Sequence, residues 1–217
     1  MSIKAVLFDF DGTLADTLPL SFTAFRTVFK QYEDRDVTNE ELVAMFGPTE
    51  EEIIEANFTN KAAAPQAVQD YFSIYETGHN GESVGNTEIA RLLQLLKDRG
   101  IRMAVITGKG QRAYRISSKA LQMEDFCEFA ITGDDVAQPK PHPEGICRAL
   151  EILGVSPAEA VFVGDSNADI LAGKAAGLRT YAVRWLSAFQ SQTYDVEPDG
   201  VFSSVAELVE LLEQDRL

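Results

Sequence analysis

Ala5-Val6-Leu7-Phe8-Asp9-Phe10-Asp11-Gly12-Thr13 is the stretch on which the reading of this chain turns. Its four leading apolar residues look like a short strand buried on both faces, as in a parallel sheet. The run stops at Asp9, and Asp11 follows two residues on, so in extended chain both carboxylates point to one face. Two like charges at the rim of a buried strand are costly unless a cation joins them. The plainer alternative is an Asp-Gly turn with a capping carboxylate. Similar runs recur at Met103-Ala104-Val105-Ile106, Ala160-Val161-Phe162-Val163 and Thr180-Tyr181-Ala182-Val183. Between them lie helix patterns. Leu92, Leu93 and Leu96 share a face, with Gly100 placed to end that helix, and another helix follows Pro143 and stops at Gly154. Ser204-Val205-Ala206-Glu207 reads as a capping box opening an amphipathic last helix. Strands alternating with helices predict an α/β fold with a mainly parallel sheet, wound on both sides.

The segment 18–81 breaks that rhythm. Leu18, Phe22, Phe25, Phe29 and Tyr32 follow helical spacing, as do Val68, Tyr71, Phe72 and Tyr75. Thr38-Asn39-Glu40-Glu41 is a capping box before a second helix, and Pro48-Thr49 starts a third through Ile53 and Ile54. Without a strand signal, the segment reads as a helical subdomain inserted after the first strand. Thr77-Gly78-His79-Asn80-Gly81 has turn composition and reads as its boundary and hinge, with His79 on the surface.

Acidic residues outnumber basic ones 34 to 19, a formal net charge of −15 over 217 residues. Such a surface repels nucleic acid and anionic lipid. The two cysteines, Cys127 and Cys147, form no C-x-x-C pair and read as small buried hydrophobes in a reducing compartment. The N-terminus lacks the pattern of a signal peptide, and no apolar run approaches the ~18 residues of a membrane span. A cytoplasmic protein is expected, without nucleic-acid or membrane partners.

In open α/β sheets ligands bind beyond the carboxyl ends of the strands. The second run ends in Thr107-Gly108-Lys109-Gly110, a hydroxyl and permissive glycines at a helix start, suited to a phosphate or to simple N-capping. Gly108-x-Gly110-x-x-Ala113 also satisfies a dinucleotide fingerprint, with Glu128 at a ribose-binding distance. That reading leaves the acidic residues without a role. Lys140 stands between prolines that fix where its side chain goes. The third run ends in Gly164-Asp165-Ser166-Asn167-Ala168-Asp169, in which helix capping competes with chemistry. Asp9, Asp11, Asp165 and Asp169 with Lys140 sum to a formal −3, which would repel a phosphate. One divalent cation brings this to −1, and hard oxygen ligands suit Mg²⁺.

The ordered set Asp-x-Asp-Gly-Thr, Thr-Gly, Lys, Gly-Asp-x-x-x-Asp resembles the haloacid-dehalogenase-superfamily phosphatases with a helical cap, of the phosphoglycolate phosphatase and β-phosphoglucomutase branch. The resemblance covers nearly the whole chain. It implies a Rossmann-like core over residues 1–17 and 82–217 and a cap over 18–81. It implies Asp9 as nucleophile, forming an aspartyl-phosphate, and Asp11 as general acid and then base. Thr107 and the Gly108 N–H would hold phosphoryl oxygens, and Lys140 would neutralise charge on Asp9 and the phosphate. Mg²⁺ would be bound by Asp9, the Asp11 main-chain carbonyl and Asp165, with Asp169 orienting either Lys140 or a metal-bound water. The cap segment Phe46-Gly47-Pro48-Thr49-Glu50 would face the substrate through Gly47 and Thr49, the alternative being an interhelical turn capped by Thr49.

Within that superfamily, Asp11 argues against a dehalogenase. Lys30 and Lys61 lie in no context that marks the Schiff-base lysine of a phosphonatase. Ser21 stands where β-phosphoglucomutases have a cap histidine. The expectation is a phosphatase for a small phosphomonoester, phosphoglycolate-like or a sugar phosphate. Inorganic pyrophosphate or a nucleotide is the alternative, and the enzyme is expected to be a monomer or homodimer.

Overall fold

The computed structural model describes residues 3–82 and 86–213. Six parallel strands form one sheet: β1 (Ala5–Phe8), β2 (Arg102–Ile106), β3 (Phe129–Ile131), β4 (Ala160–Gly164), β5 (Arg179–Val183) and β6 (Gly200–Phe202). Their order is β3-β2-β1-β4-β5-β6, so the strand sequence reverses beside β1. This is the expected doubly wound sheet, and a crevice at such a reversal is where α/β proteins bind ligands. Alternation within β1 divides the core. Val6 and Phe8 pack on one face with Ile89, Leu92, Leu93 and Leu96 of α5 (Thr87–Asp98) and Val205, Leu208 and Leu212 of α9 (Val205–Glu213). Ala5 and Leu7 pack on the other with Ile146, Ala149, Leu150 and Leu153 of α7 (Glu144–Leu153) and Ala172 of α8 (Asn167–Ala175). Each face is covered, which is why the strands read as continuous apolar runs.

The helices α1 (Leu18–Glu33), α2 (Asn39–Met45), α3 (Glu50–Asn57) and α4 (Ala64–Glu82) share a separate apolar cluster rich in aromatic rings. Phe25 and Tyr71 lie 4.5 Å apart, and Phe29 and Phe58 5.2 Å apart. Thr38 with Glu41, and Thr49 with Glu52, form the capping boxes that start α2 and α3. The remaining helix, α6 (Gln111–Ala120), contributes Ala113 to this cluster and so joins it to the sheet.

Several expectations need correction. The turn read at 77–81 is helix, because α4 runs through it to Glu82. Gly78 is required there for close packing: a Cβ on it would stand 2.2 Å from Leu20 Cδ1 of α1. His79 is buried, continuing the Tyr71–Tyr75 stripe, with its ring 4.9 Å from Tyr75 and its Nε2 2.9 Å from Ser117 Oγ. The segment 83–85 lies outside the described residues. Glu207 accepts the main-chain N–H of Ser203, not of Ser204, at 2.9 Å. Cys147 is exposed, and only Cys127 packs against the core, where burial pushes its thiol up to about 12. Among the described residues no helix is long and apolar enough to cross a membrane.

Candidate active site

The carboxyl ends of β1, β2 and β4 meet at the reversal of strand order. Asp9 is fixed by its main-chain N–H, which donates to Val163 O of β4 at 2.8 Å. Its carboxylate is buried, and Lys140 Nζ donates to Oδ1 at 2.6 Å. Lys140 donates equally to Asp169 Oδ1, at 2.6 Å, and to the carbonyl of Ile106, at 3.0 Å. Asp169 is itself held by the start of α8. Its Oδ2 accepts the hydroxyl of Ser166 at 2.6 Å and the N–H of Ser166 at 2.9 Å. Both its oxygens therefore accept hydrogen bonds. Gly164 makes this possible, since a Cβ there would stand 2.4 Å from the Asp169 carboxyl carbon.

Asp165 is wholly buried, and its Oδ2 accepts the Gln190 N–H at 2.6 Å. Gly12, at φ +84°, passes directly over it, where a Cβ would lie 2.3 Å from Oδ2. Asp9, Asp165 and Asp169 each offer an oxygen within 4.8 Å of the others, a cluster that could hold a metal ion. The electrostatics fit a cation. Burial and then the charge of Asp169 lift Asp9 to about 7 against the pull of Lys140, and burial with Asp9 and Asp169 lifts Asp165 well above the carboxylate range. Burial opposes the charge on Lys140, but Asp169 and Asp9 outweigh it and raise its pKa. Three buried carboxylates facing one lysine are under-compensated, and oxygen ligands of this kind suit a hard divalent ion.

The Asp11 side chain stands apart from that trio. It accepts from the hydroxyl of Thr17 and lies 3.0 Å from Lys109 Nζ. Lys109 had no assigned role from sequence, yet it is a centre of the site. Its amine also lies 3.2 Å from Glu50 Oε1 on α3 and 4.7 Å from the centre of the Tyr75 ring on α4. Burial opposes its charge; Asp11, Tyr75 and Glu50 together raise its pKa well above the usual range. Glu50, within the segment expected to face the substrate, lines the cavity and accepts the Gly110 N–H at 2.9 Å. The available signals for this pairing were a lysine three residues past the end of β2 and an acid in the first turn of a helix, and both are common on surfaces.

Asp9, Asp11, Thr107, Gly108, Lys140 and Gly47 line one cavity of about 360 Å³ between the sheet and α1–α3. Thr107 Oγ1 accepts the Lys109 N–H at 3.1 Å, which leaves its own proton to donate. Gly47, at φ +135°, brings its carbonyl over Gly108, 3.2 Å from where a Cβ would be. Thr49 does not line the cavity. Its hydroxyl accepts the Glu52 N–H at the start of α3, and its methyl abuts Gly133, so the capping alternative holds for it. Ser21 lines the cavity with its hydroxyl 2.9 Å from that of Tyr71.

The haloacid dehalogenase-like hydrolase family model matches residues 6–183. A curated relative, Pyrophosphatase PpaX of Bacillus pumilus, is 33% identical, covering 99% of this chain and 98% of its own. Among solved structures, CbbY from Rhodobacter sphaeroides in complex with phosphate is 28% identical with a TM-score of 0.80, covering 95% of this chain and 96% of that one. A predicted phosphoglycolate phosphatase from Haemophilus somnus, at 20% identity, shares the fold with a TM-score of 0.83 over 98% of this chain and 99% of its own.

Proposed function

The chain belongs to the haloacid dehalogenase-like hydrolase family, as a phosphatase, and on that premise we propose that it hydrolyses a small phosphomonoester with Mg²⁺ through an aspartyl-phosphate on Asp9. The observation that carries this reading is convergence: Asp9, Asp11, Thr107, Gly108 and Lys140, from three separate stretches of chain, line a single cavity.

Asp9 attacks phosphorus, and the bond from phosphorus to the ester oxygen breaks as the bond to Asp9 forms. Asp11 gives the departing oxygen its proton, so an alcohol leaves. A water then adds to phosphorus and yields its proton to Asp11. The acyl-phosphate bond breaks, inorganic phosphate departs, and the Asp9 carboxylate is restored. Lys140 holds one oxygen of Asp9 and aims the other at the cavity. Thr107 and the Gly108 N–H hold phosphoryl oxygens in line, since phosphoryl transfer depends mainly on alignment and charge. Asp9 and Asp165, with the Asp11 carbonyl, are the groups that would hold Mg²⁺, which when bound supplies positive charge to Asp9 and the phosphoryl oxygens.

Activity is expected to disappear in excess chelator and return with Mg²⁺, with Ca²⁺ restoring little because its looser coordination misplaces the nucleophile. Full turnover by exhaustively chelated enzyme contradicts the reading. Inorganic pyrophosphate is the second reading, favoured by the names of relatives at 30% and 33% identity. Initial rates on a panel of phosphomonoesters with pyrophosphate included separate the two.

A further inference from the structure

The wall of the cavity at the strand ends carries Asp9, Asp11, Lys109 and Lys140; the wall opposite is mostly apolar. From α1–α3 and the turn between α2 and α3 it receives Leu18, Phe25, Val43, Phe46 and Ile53, together with the Ser21 hydroxyl and one charged group, the carboxylate of Glu50. The four cations in the segment 18–82 are Arg26, Lys30, Arg35 and Lys61, and none of them lines the cavity. Each is engaged elsewhere: Arg26 with Val37 O and Asn39, Lys30 with Asp34 and Asp36, Arg35 with Glu41, and Lys61 with Glu55 O.

The two lysines that do reach the cavity are each already shared between two carboxylates, Lys140 by Asp9 and Asp169 and Lys109 by Asp11 and Glu50. At the polar rim, Asn167 is paired in both directions with Asp195, and Ser191 Oγ accepts the Asn167 N–H. A substrate whose leaving group carries a second phosphate or a carboxylate would place that anion against phenylalanine, valine and leucine, beside Glu50. A buried charge without a partner is strongly disfavoured.

Resting on the phosphatase reading, we infer that the leaving group is uncharged and largely apolar. The substrate class is the phosphate monoester of a neutral alcohol with an apolar body, in preference to pyrophosphate, a bisphosphate or a phosphorylated carboxylic acid. The apolar body lies against Val43, Phe46 and Ile53, while the transferred phosphoryl group occupies the charged wall. Specificity then comes from exclusion as much as attraction, since a pocket lined this way rejects anions more strongly than it sorts neutral groups by size.

The test compares kcat/KM, with Mg²⁺ present, for butyl phosphate, phosphoglycolate and pyrophosphate, with nitrophenyl phosphate as the measure of phosphatase competence. Butyl phosphate should exceed both anionic substrates by about tenfold or more. Equal or better turnover of phosphoglycolate or pyrophosphate, with nitrophenyl phosphate hydrolysed, overturns the inference and leaves the phosphatase reading standing. Failure to hydrolyse nitrophenyl phosphate overturns both. Val43→Arg, on a half-buried side chain of α2 that lines the cavity, supplies the missing cation. It should shift the ratio of phosphoglycolate to butyl phosphate efficiency by about tenfold toward the acid. An unchanged ratio in a variant with the wild-type circular dichroism spectrum contradicts the inference.

Discussion

Lys109 is buried and Lys140 half-buried, and each bridges two carboxylates, but the acids come from different parts of the molecule. The partners of Lys140 are Asp9 after β1 and Asp169 at the start of α8, both belonging to the sheet and its flanking helices. The partners of Lys109 are Asp11, after β1, and Glu50 on α3, so this pair crosses from the sheet to the helices above the cavity. The first bridge lies wholly at the end of the sheet; the second joins the sheet end to helices that share a separate apolar cluster. Lys140 therefore reads as part of the reacting centre, and Lys109 as a positioning residue that couples Asp11 to the placement of α3.

Lys140→Met should have the largest effect. It removes the cation shared by Asp9 and Asp169 and exposes a developing phosphoryl charge, so kcat should fall on the order of 10³-fold for every phosphoester. Retention of more than a tenth of wild-type kcat would place Lys140 outside the reacting centre. Lys109→Met leaves Asp11 and Glu50 facing each other without a cation. Breaking a buried pair in this way costs about 3–5 kcal/mol of stability, and urea unfolding should register it. Its kcat should fall more for alkyl phosphates than for nitrophenyl phosphate, because Asp11 loses its position and a nitrophenolate needs no proton. Equal losses would show that Lys109 acts on the fold alone.

Glu50→Gln should do least. The amide can still accept the Gly110 N–H but lacks the charge that meets Lys109. A severalfold rise in KM with little change in kcat is expected, since the group acts on assembly of the cavity and not on the reacting atoms. A kcat loss as deep as that of Lys109→Met would erase the distinction between the two bridges.

The contrast also tracks what the sequence discloses. Asp9, Lys140, Asp165 and Asp169 could be located from sequence because each stands at a strand end, between prolines or in the first turn of the helix that follows a strand, where local chain geometry determines direction. The sheet was legible wherever a strand is buried on both faces, but β3 and β6, three residues each, are too short to carry a pattern. The coupling of Lys109 to Glu50 is invisible locally, since the approach of the α3 start to the loop after β2 creates it. His79 and Gly78 were misread for the same reason. Their composition is that of a turn, and only the approach of Leu20 explains a glycine within α4. Thr49 shows the reverse case: local capping chemistry was on offer as an alternative, and it accounts for the side chain fully.

The central claim is that Asp9 carries the phosphoryl group and Asp11 moves the protons. Rapid-quench analysis of covalent phosphate on the enzyme during nitrophenyl phosphate hydrolysis tests it most directly, using Asp11→Asn and Asp9→Asn with wild type. Asp11→Asn should release nitrophenol in a burst and accumulate phosphate on Asp9. Attack would remain while hydrolysis of the acyl-phosphate slows by about 10²–10⁴-fold. Asp9→Asn should give neither burst nor covalent phosphate. A burst surviving in Asp9→Asn, or phosphate mapped to another residue, would contradict the account.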